Sequence, residues 1–173
     1  DPIDQLNKYG IDAVRYYALA GLQTYGNSGW SEENLVELYN SDLANNYGNL
    51  IARVIHLINI KNIAINPNLS IDMHLFEGEL KDVEDCWLNY DINGALNKLR
   101  DVLSLANKYI QDKEPWKSDS VNIETTLNTL YSVLEAITAL YEPAIPNKTT
   151  EILECLKNKE KAIIFPRIIK NTV

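Results

Sequence analysis

The sequence predicts an all-α fold: a helical bundle of about five helices, preceded by a small N-terminal appendage. Three observations carry this prediction. Apolar residues recur at helical spacing through most of the 173 residues. Only 7 Gly and 6 Pro are present, too few for the turns an all-β fold would need. Helix-start residues stand ahead of the periodic stretches and breakers stand behind them. The length suits one domain with a real core.

The elements follow in order. In the first unit, residues 1–20, Tyr9-Gly10 reads as a helix stop, with Gly10 supplying a left-handed residue. Ile11 to Ala20 then reads as a short buried helix. Residues 21–29 hold three glycines with Asn and Ser, and read as a loop. Ser31 is a good N-cap, and Glu32 and Glu33 suit the positive end of a helix dipole. Leu35, Leu38, Tyr39, Asp42, Leu43, Asn46, Leu50, Val54, Leu57 and Ile58 follow at helical spacing, which gives one long helix to about Lys61. A loop with Asn-Pro-Asn covers 62–71. Further helices are expected over about 75–89, with Phe76, Leu80, Val83 and Trp87 on one face, and over 91–111. Another covers 124–140, with Leu127, Leu130, Leu134 and Ile137 inside. Pro143 and Pro146 break the chain before a last short helix, 149–157, and a β-branched tail, 161–169.

Composition narrows the function. Apolar residues make up 46% and charged residues 23%, the balance of a soluble globular chain. No apolar run approaches a membrane span, and the N-terminus lacks a secretory pattern. The first residue is not Met, so the chain is expected to be a piece of a longer protein. The net charge of −8 counts against a broad basic field for nucleic acid. Any RNA contact must then rest on a few bases. Cys86 and Cys155 fit no metal-ligand spacing and read as buried thiols of a cytosolic protein. His56 and His74 have no ligand cluster around them in sequence. Glu32-Glu33 reads as a helix start rather than a catalytic pair, and Asp82, Glu84 and Asp85 as a solvated face.

The most informative stretch is Asn107-Lys-Tyr-Ile-Gln-Asp-Lys-Glu-Pro-Trp116. Leu99, Leu103 and Ala106 mark an apolar helical face leading into it. Pro115 cannot continue the helix and pushes Glu114 towards an extended backbone. Trp116 therefore sits just past a helix end. From the residues alone it is either a plug in the core or a partly exposed platform for an unstacked base.

Several segments, in order, resemble methionyl-tRNA synthetases. They are Asp1-Pro2, Tyr9-Gly-Ile-Asp-Ala-Val-Arg-Tyr-Tyr17 and Ser31-Glu-Glu33, then Asn40-Ser-Asp-Leu-Ala-Asn-Asn-Tyr-Gly-Asn-Leu-Ile-Ala-Arg53. Asn107 to Trp116 and Phe165-Pro-Arg-Ile168 complete the set. The first block also resembles the synthetases for valine, leucine, isoleucine and cysteine. The resemblance implies the C-terminal anticodon-binding domain, over 31–173, with a connector over 1–30. The family's catalytic half carries a His-containing ATP motif and a Lys-Met-Ser-Lys-Ser loop, and neither is present here. ATP and, in some members, zinc belong to that half. The resemblance therefore implies no catalytic residue, metal or cofactor in this chain, and no activation of methionine by it alone. It implies methionine tRNA and the chain's own catalytic half as partners. The dimerising tRNA-binding domain appended in some relatives is not visible, so a monomer is expected.

Asn49 and Arg53 stand four apart on one helix face. An amide and a guanidinium side by side can approach the Watson–Crick edge of one splayed base. By resemblance, Asn49 and Arg53 line the anticodon site, Trp116 stacks on its first base, a cytosine, and Pro115 holds the ring. Lys117 and Asn107 are weaker candidates. Asn45 and Asn46 read as braces between helices, Asp12 and Arg15 as a pair within the connector, and Trp30 as a packing residue. The competing readings are a protein-interaction bundle that touches no RNA, and the same module of a sister synthetase.

Overall fold

The computed structural model describes residues 1–22, 29–117, 122–160 and 162–169. These residues form helices, turns and irregular segments, with no strand among them. Helices α1 (Pro2–Tyr9) and α2 (Ile11–Ala20) come first. A continuous helical path follows, made of α3 (Glu32–Leu38), a π-helical segment (Tyr39–Gly48) and α4 (Asn49–Ile60). Two short 3₁₀ turns, Pro67–Leu69 and Ile71–Leu75, lead to α5 (Glu77–Leu88). Then come α6 (Ile92–Lys113), α7 (Ile123–Tyr141) and α8 (Pro146–Asn158). Counting α3 to α4 as one path, this is the expected bundle of five. No described helix is long and apolar enough to cross a membrane.

The core forms where the apolar spacing places it. Leu99, Leu103 and Ala106 of α6 meet Leu127, Leu130, Leu134 and Ile137 of α7, all fully buried. Phe76 and Val83 close the α5 side, and Trp87 donates its indole N–H to the Leu140 carbonyl at 3.0 Å. Ser31 caps α3 by accepting from Asn34 N at 3.2 Å, as its position predicts. Glu32 accepts from Lys8 and Tyr9, which ties α3 back to α1. Trp30 packs edge-on against Tyr17, with ring centroids 4.9 Å apart. The 21–29 loop is described only at its ends, since 23–28 lie outside the described residues, and the described part of the tail, 162–169, is irregular.

Expectations about the long helix, Gly10, the Asp12–Arg15 pair and Cys86 need correction, and the last helix begins at Pro146 rather than at 149. The long helix is not uniformly α: its middle ten residues bond in the wider π pattern. Gly10 has the positive φ expected, 80°, but its ψ of 159° is extended rather than left-handed helical. Asp12 and Arg15 do not pair. The Asp12 carboxylate accepts from Lys148 N at 2.6 Å, capping α8, which has no side-chain cap of its own. Arg15 Nε donates to Pro143 O at 2.8 Å. Both residues therefore clamp α2 onto the α7–α8 corner. Finally, Cys155 is buried as expected, but Cys86 is only half-buried.

Behind the π segment lies a polar anchor. Tyr16 OH and Arg100 Nε both donate to Asp42 Oδ2, at 2.8 and 2.6 Å. Burial and the adjacent Asp42 charge raise the Tyr16 pKa, so the hydroxyl stays a donor. This joint binds α2, the π segment and α6, and so fixes the base on which α4 begins.

Candidate nucleic-acid interface

The site is made where α4 meets the end of α6. Ile110 is fully buried, and the helix closes when Glu114 N donates to Ile110 O at 3.2 Å. Glu114 is not extended, as the sequence predicts, but left-handed, with φ 44° and ψ 51°. A left-handed cap ends a helix while keeping the residue before proline out of the right-handed helical region. Lys117 N then donates to Glu114 O at 3.0 Å, so 114–117 form a tight turn with Pro115 at its second position. Pro115 is buried and Trp116 is 38% exposed. The ring is therefore a surface element standing on a rigid corner, not a core plug.

Arg53 reaches this ring. Its guanidinium carbon lies 5.2 Å from the Trp116 ring centroid, within cation–π range. Asn49, one turn earlier on α4, is exposed. Thus the turn carrying Trp116 and the helix carrying Asn49 and Arg53 meet at one surface, with Pro115 beneath it.

The weaker candidates have other work. Lys117 Nζ bonds Glu114 Oε2 at 2.6 Å. Asn107 Nδ2 donates to Asn46 Oδ1 at 2.7 Å and to Leu103 O at 3.0 Å, bracing α6 against the π segment. Asn45 accepts from Arg167 Nε at 2.9 Å. Arg167 lies on the tail, which is held by Ile168: its backbone N–H and C=O each bond the Asn40 side chain at 2.9 Å. Sequence reasoning named Arg167 only within the tail motif, because its neighbour Asn45 is 122 residues away. His56 is exposed on α4. Among the described residues, no group of three or more His, Cys, Asp or Glu side chains could hold a metal ion.

Comparison with known proteins adds the family. A protein-family model described as the anticodon-binding domain of tRNA ligase matches residues 73–170. The chain belongs to this family. A second model, described as tRNA synthetases class I (M), matches residues 1–55. The methionine–tRNA ligase of Ureaplasma parvum is 32% identical over 92% of the chain, which covers 33% of that protein. That of Thermotoga maritima is 32% identical over 93% of the chain, covering 27% of it. The chain thus spans about a third of the length of the relatives it matches. The apo crystal structure of Mycobacterium tuberculosis methionyl-tRNA synthetase superposes with a TM-score of 0.83. It is 25% identical, over 98% of this chain and 41% of that one. The chain corresponds to the anticodon-binding region of methionyl-tRNA synthetases.

Proposed function

We propose that this anticodon-binding domain reads the CAU anticodon of methionine tRNA through Trp116, Arg53 and Asn49, within a methionine–tRNA ligase. The observation that carries the reading is the Arg53 guanidinium set 5.2 Å from a partly exposed Trp116 ring, with Asn49 one turn away. A free base has two chemical needs that this arrangement meets. Its flat face stacks on an aromatic ring, and its polar edge takes donors and acceptors. Arg53 supplies donors only, which suit the carbonyl oxygen and ring nitrogen of cytosine, and Asn49 supplies both kinds. Because Arg53 already packs on the ring, little side-chain freedom is lost when the base arrives.

On this reading, residues 1–30 connect the bundle to a catalytic half that joins methionine to the tRNA using ATP. The bundle selects the tRNA by its anticodon and thereby orients the acceptor end towards the distant reaction centre. With a net charge of −8, selection rests on a few direct contacts.

The test is Trp116→Ala, measured by titration of a fluorescent anticodon hairpin and by circular dichroism. Loss of the stacking face is expected to weaken binding by about 1–3 kcal/mol, with the helical spectrum unchanged. An unfolded variant would make Trp116 a core residue and overturn the reading. So would a folded variant that binds as tightly as the parent.

A further inference from the structure

Three contacts between the α3–α4 path and α6 with its closing turn fall in the same order along both: Asp42 with Arg100, Asn46 with Asn107, and Arg53 with Trp116. The path and α6 therefore run side by side in the same direction. Trp116 marks one end of the bundle. The α5–α6 turn, residues 88–91, marks the other, and the 22 residues of α6 set the two about 33 Å apart. The connector is fastened at the end that carries this turn. Lys8 and Tyr9 of α1 bond Glu32 at the start of the path. Arg15 of α2 bonds Pro143 O, close in the chain to Leu140, whose carbonyl takes the Trp87 indole N–H.

The turn is built to project apolar surface. Leu88 is 77% exposed and Tyr90 is 90% exposed. Tyr90 has φ 59°, the left-handed position that closes a helix end and favours Gly or Asn. Asp91 N donates to Cys86 O at 2.9 Å and Tyr90 N to Trp87 O at 3.1 Å, so α5 closes tightly behind the ring. Asp91 then caps α6 by accepting from Gly94 N at 2.9 Å. A bulky side chain thus holds a backbone conformation that glycine would hold with less strain, yet buries almost none of itself within the chain. Trp87, anchored on α7, fixes the turn from below. The result is a rigid apolar knob, which loses little freedom on docking.

Its surroundings select the occupant. Glu84, one turn before Leu88, and Asp85 and Asp91 are exposed beside it. This acidic collar repels RNA phosphates, and it repels a second copy of the same turn. It suits an apolar notch with a basic rim on a protein surface. On the reading given above, α1 carries the chain in from the catalytic half, so that half is tethered at this end of the bundle. A tethered surface meets the knob at high effective concentration, and a contact too small to hold two free proteins together then suffices. We propose that the Leu88–Tyr90 turn docks into the catalytic half, as a second contact beside the connector. The inference rests on that reading and goes beyond it by giving α6 a partner at each end, an RNA base at Trp116 and the catalytic half at Tyr90. A single helix then spans from the anticodon contact to the catalytic half.

The experiment uses the full-length protein with p-benzoylphenylalanine in place of Tyr90, irradiated and mapped by mass spectrometry. Cross-links are expected to peptides N-terminal to Asp1, close to Lys or Arg side chains. The same probe in place of Ile60, exposed at the far end of α4, should give none. Leu88→Ser combined with Tyr90→Asn removes the apolar surface and keeps a residue that tolerates the left-handed turn. This double variant should retain the helical spectrum, methionine activation and binding of a CAU hairpin. Its kcat/KM for charging methionine tRNA should fall roughly tenfold, the loss of about one docking hot spot. Cross-links only between copies, none from position 90, or equal cross-linking from positions 60 and 90 would overturn the proposal. So would a folded double variant that charges as well as wild type. Failure of the underlying reading looks different: the full-length protein would then not charge methionine tRNA even without substitution.

Discussion

At the scale of single residues, the structure shows how much a side chain's work depends on what stands opposite it. Lys117 and Arg167 are both exposed cations beside the candidate interface. Lys117 is paired with the Glu114 carboxylate of its own turn, whereas Arg167 Nε donates to the neutral amide of Asn45. Asp72 offers a residue-scale test of the same logic. It accepts from Tyr109 OH at 2.7 Å and pairs with Lys113 at 3.1 Å. The Tyr109 bond first, and then Lys113, hold its carboxyl below the ordinary value of 3.8, against an opposing effect of burial. A depressed carboxylate contributes stability that is present above the unfolded pKa and lost as pH falls through the folded one. Wild type should therefore exceed Asp72→Asn by roughly 1 kcal/mol in urea unfolding at pH 7. The gap should begin to close below about pH 4 and vanish on further acidification. A gap that does not change with pH would remove the charged pairing from the account.

At the scale of elements, the joints between helices carry the most specific demands. Gly10 joins α1 to α2 at φ 80° and ψ 159°, a region essentially confined to glycine. A Cβ there would touch nothing within 4 Å, so any cost of Gly10→Ala is backbone strain alone. About 1–3 kcal/mol is expected, seen as a Tm lower by several degrees with helical content retained. An unchanged Tm would mean that the joint relaxes freely. The helices themselves were legible because their signals are local: Ser31 caps α3, and the apolar spacing of α6 and α7 survives as a fully buried face. The π segment was not legible. Tyr39, Leu43 and Tyr47 are buried at four-residue spacing, and i→i+4 or i→i+5 bonding can both present such a stripe. Asp12 capping α8 was also hidden, because donor and acceptor are 136 residues apart and Asp12 had a plausible local partner, Arg15, in sequence. The left-handed Glu114 is a third case: avoidance of the helical region before proline was readable, but its destination depended on how α6 had to close.

At the scale of the whole molecule, the proposed reading has an acidic bundle meet a polyanion through a small surface around Arg53 and Trp116. The meeting of Arg53 with Trp116, 63 positions apart, cannot be read from spacing. Each residue alone fitted a bland role, and the resemblance of motifs joined them before the geometry did. The fold achieves the meeting by bracing: Asn46 with Asn107 ties the helical path that leads to Arg53 to the helix that ends at Trp116, and Asp42 with Arg100 and Tyr16 ties both to α2. Because few cations take part, binding should fall with salt along a shallow line, about 0.7 in log–log slope per phosphate neutralised on a single strand. A steep slope would instead point to a broad electrostatic surface that the charge of −8 does not support.

The most direct measurement of the central claim is binding of the protein to a CAU anticodon hairpin and to one with its first anticodon base changed, each at low and high salt. Tighter binding to CAU is expected at both salt concentrations, with both affinities reduced by salt and the preference between them largely kept. Equal binding to the two hairpins would contradict it, since Trp116, Arg53 and Asn49 would then be holding RNA without reading it.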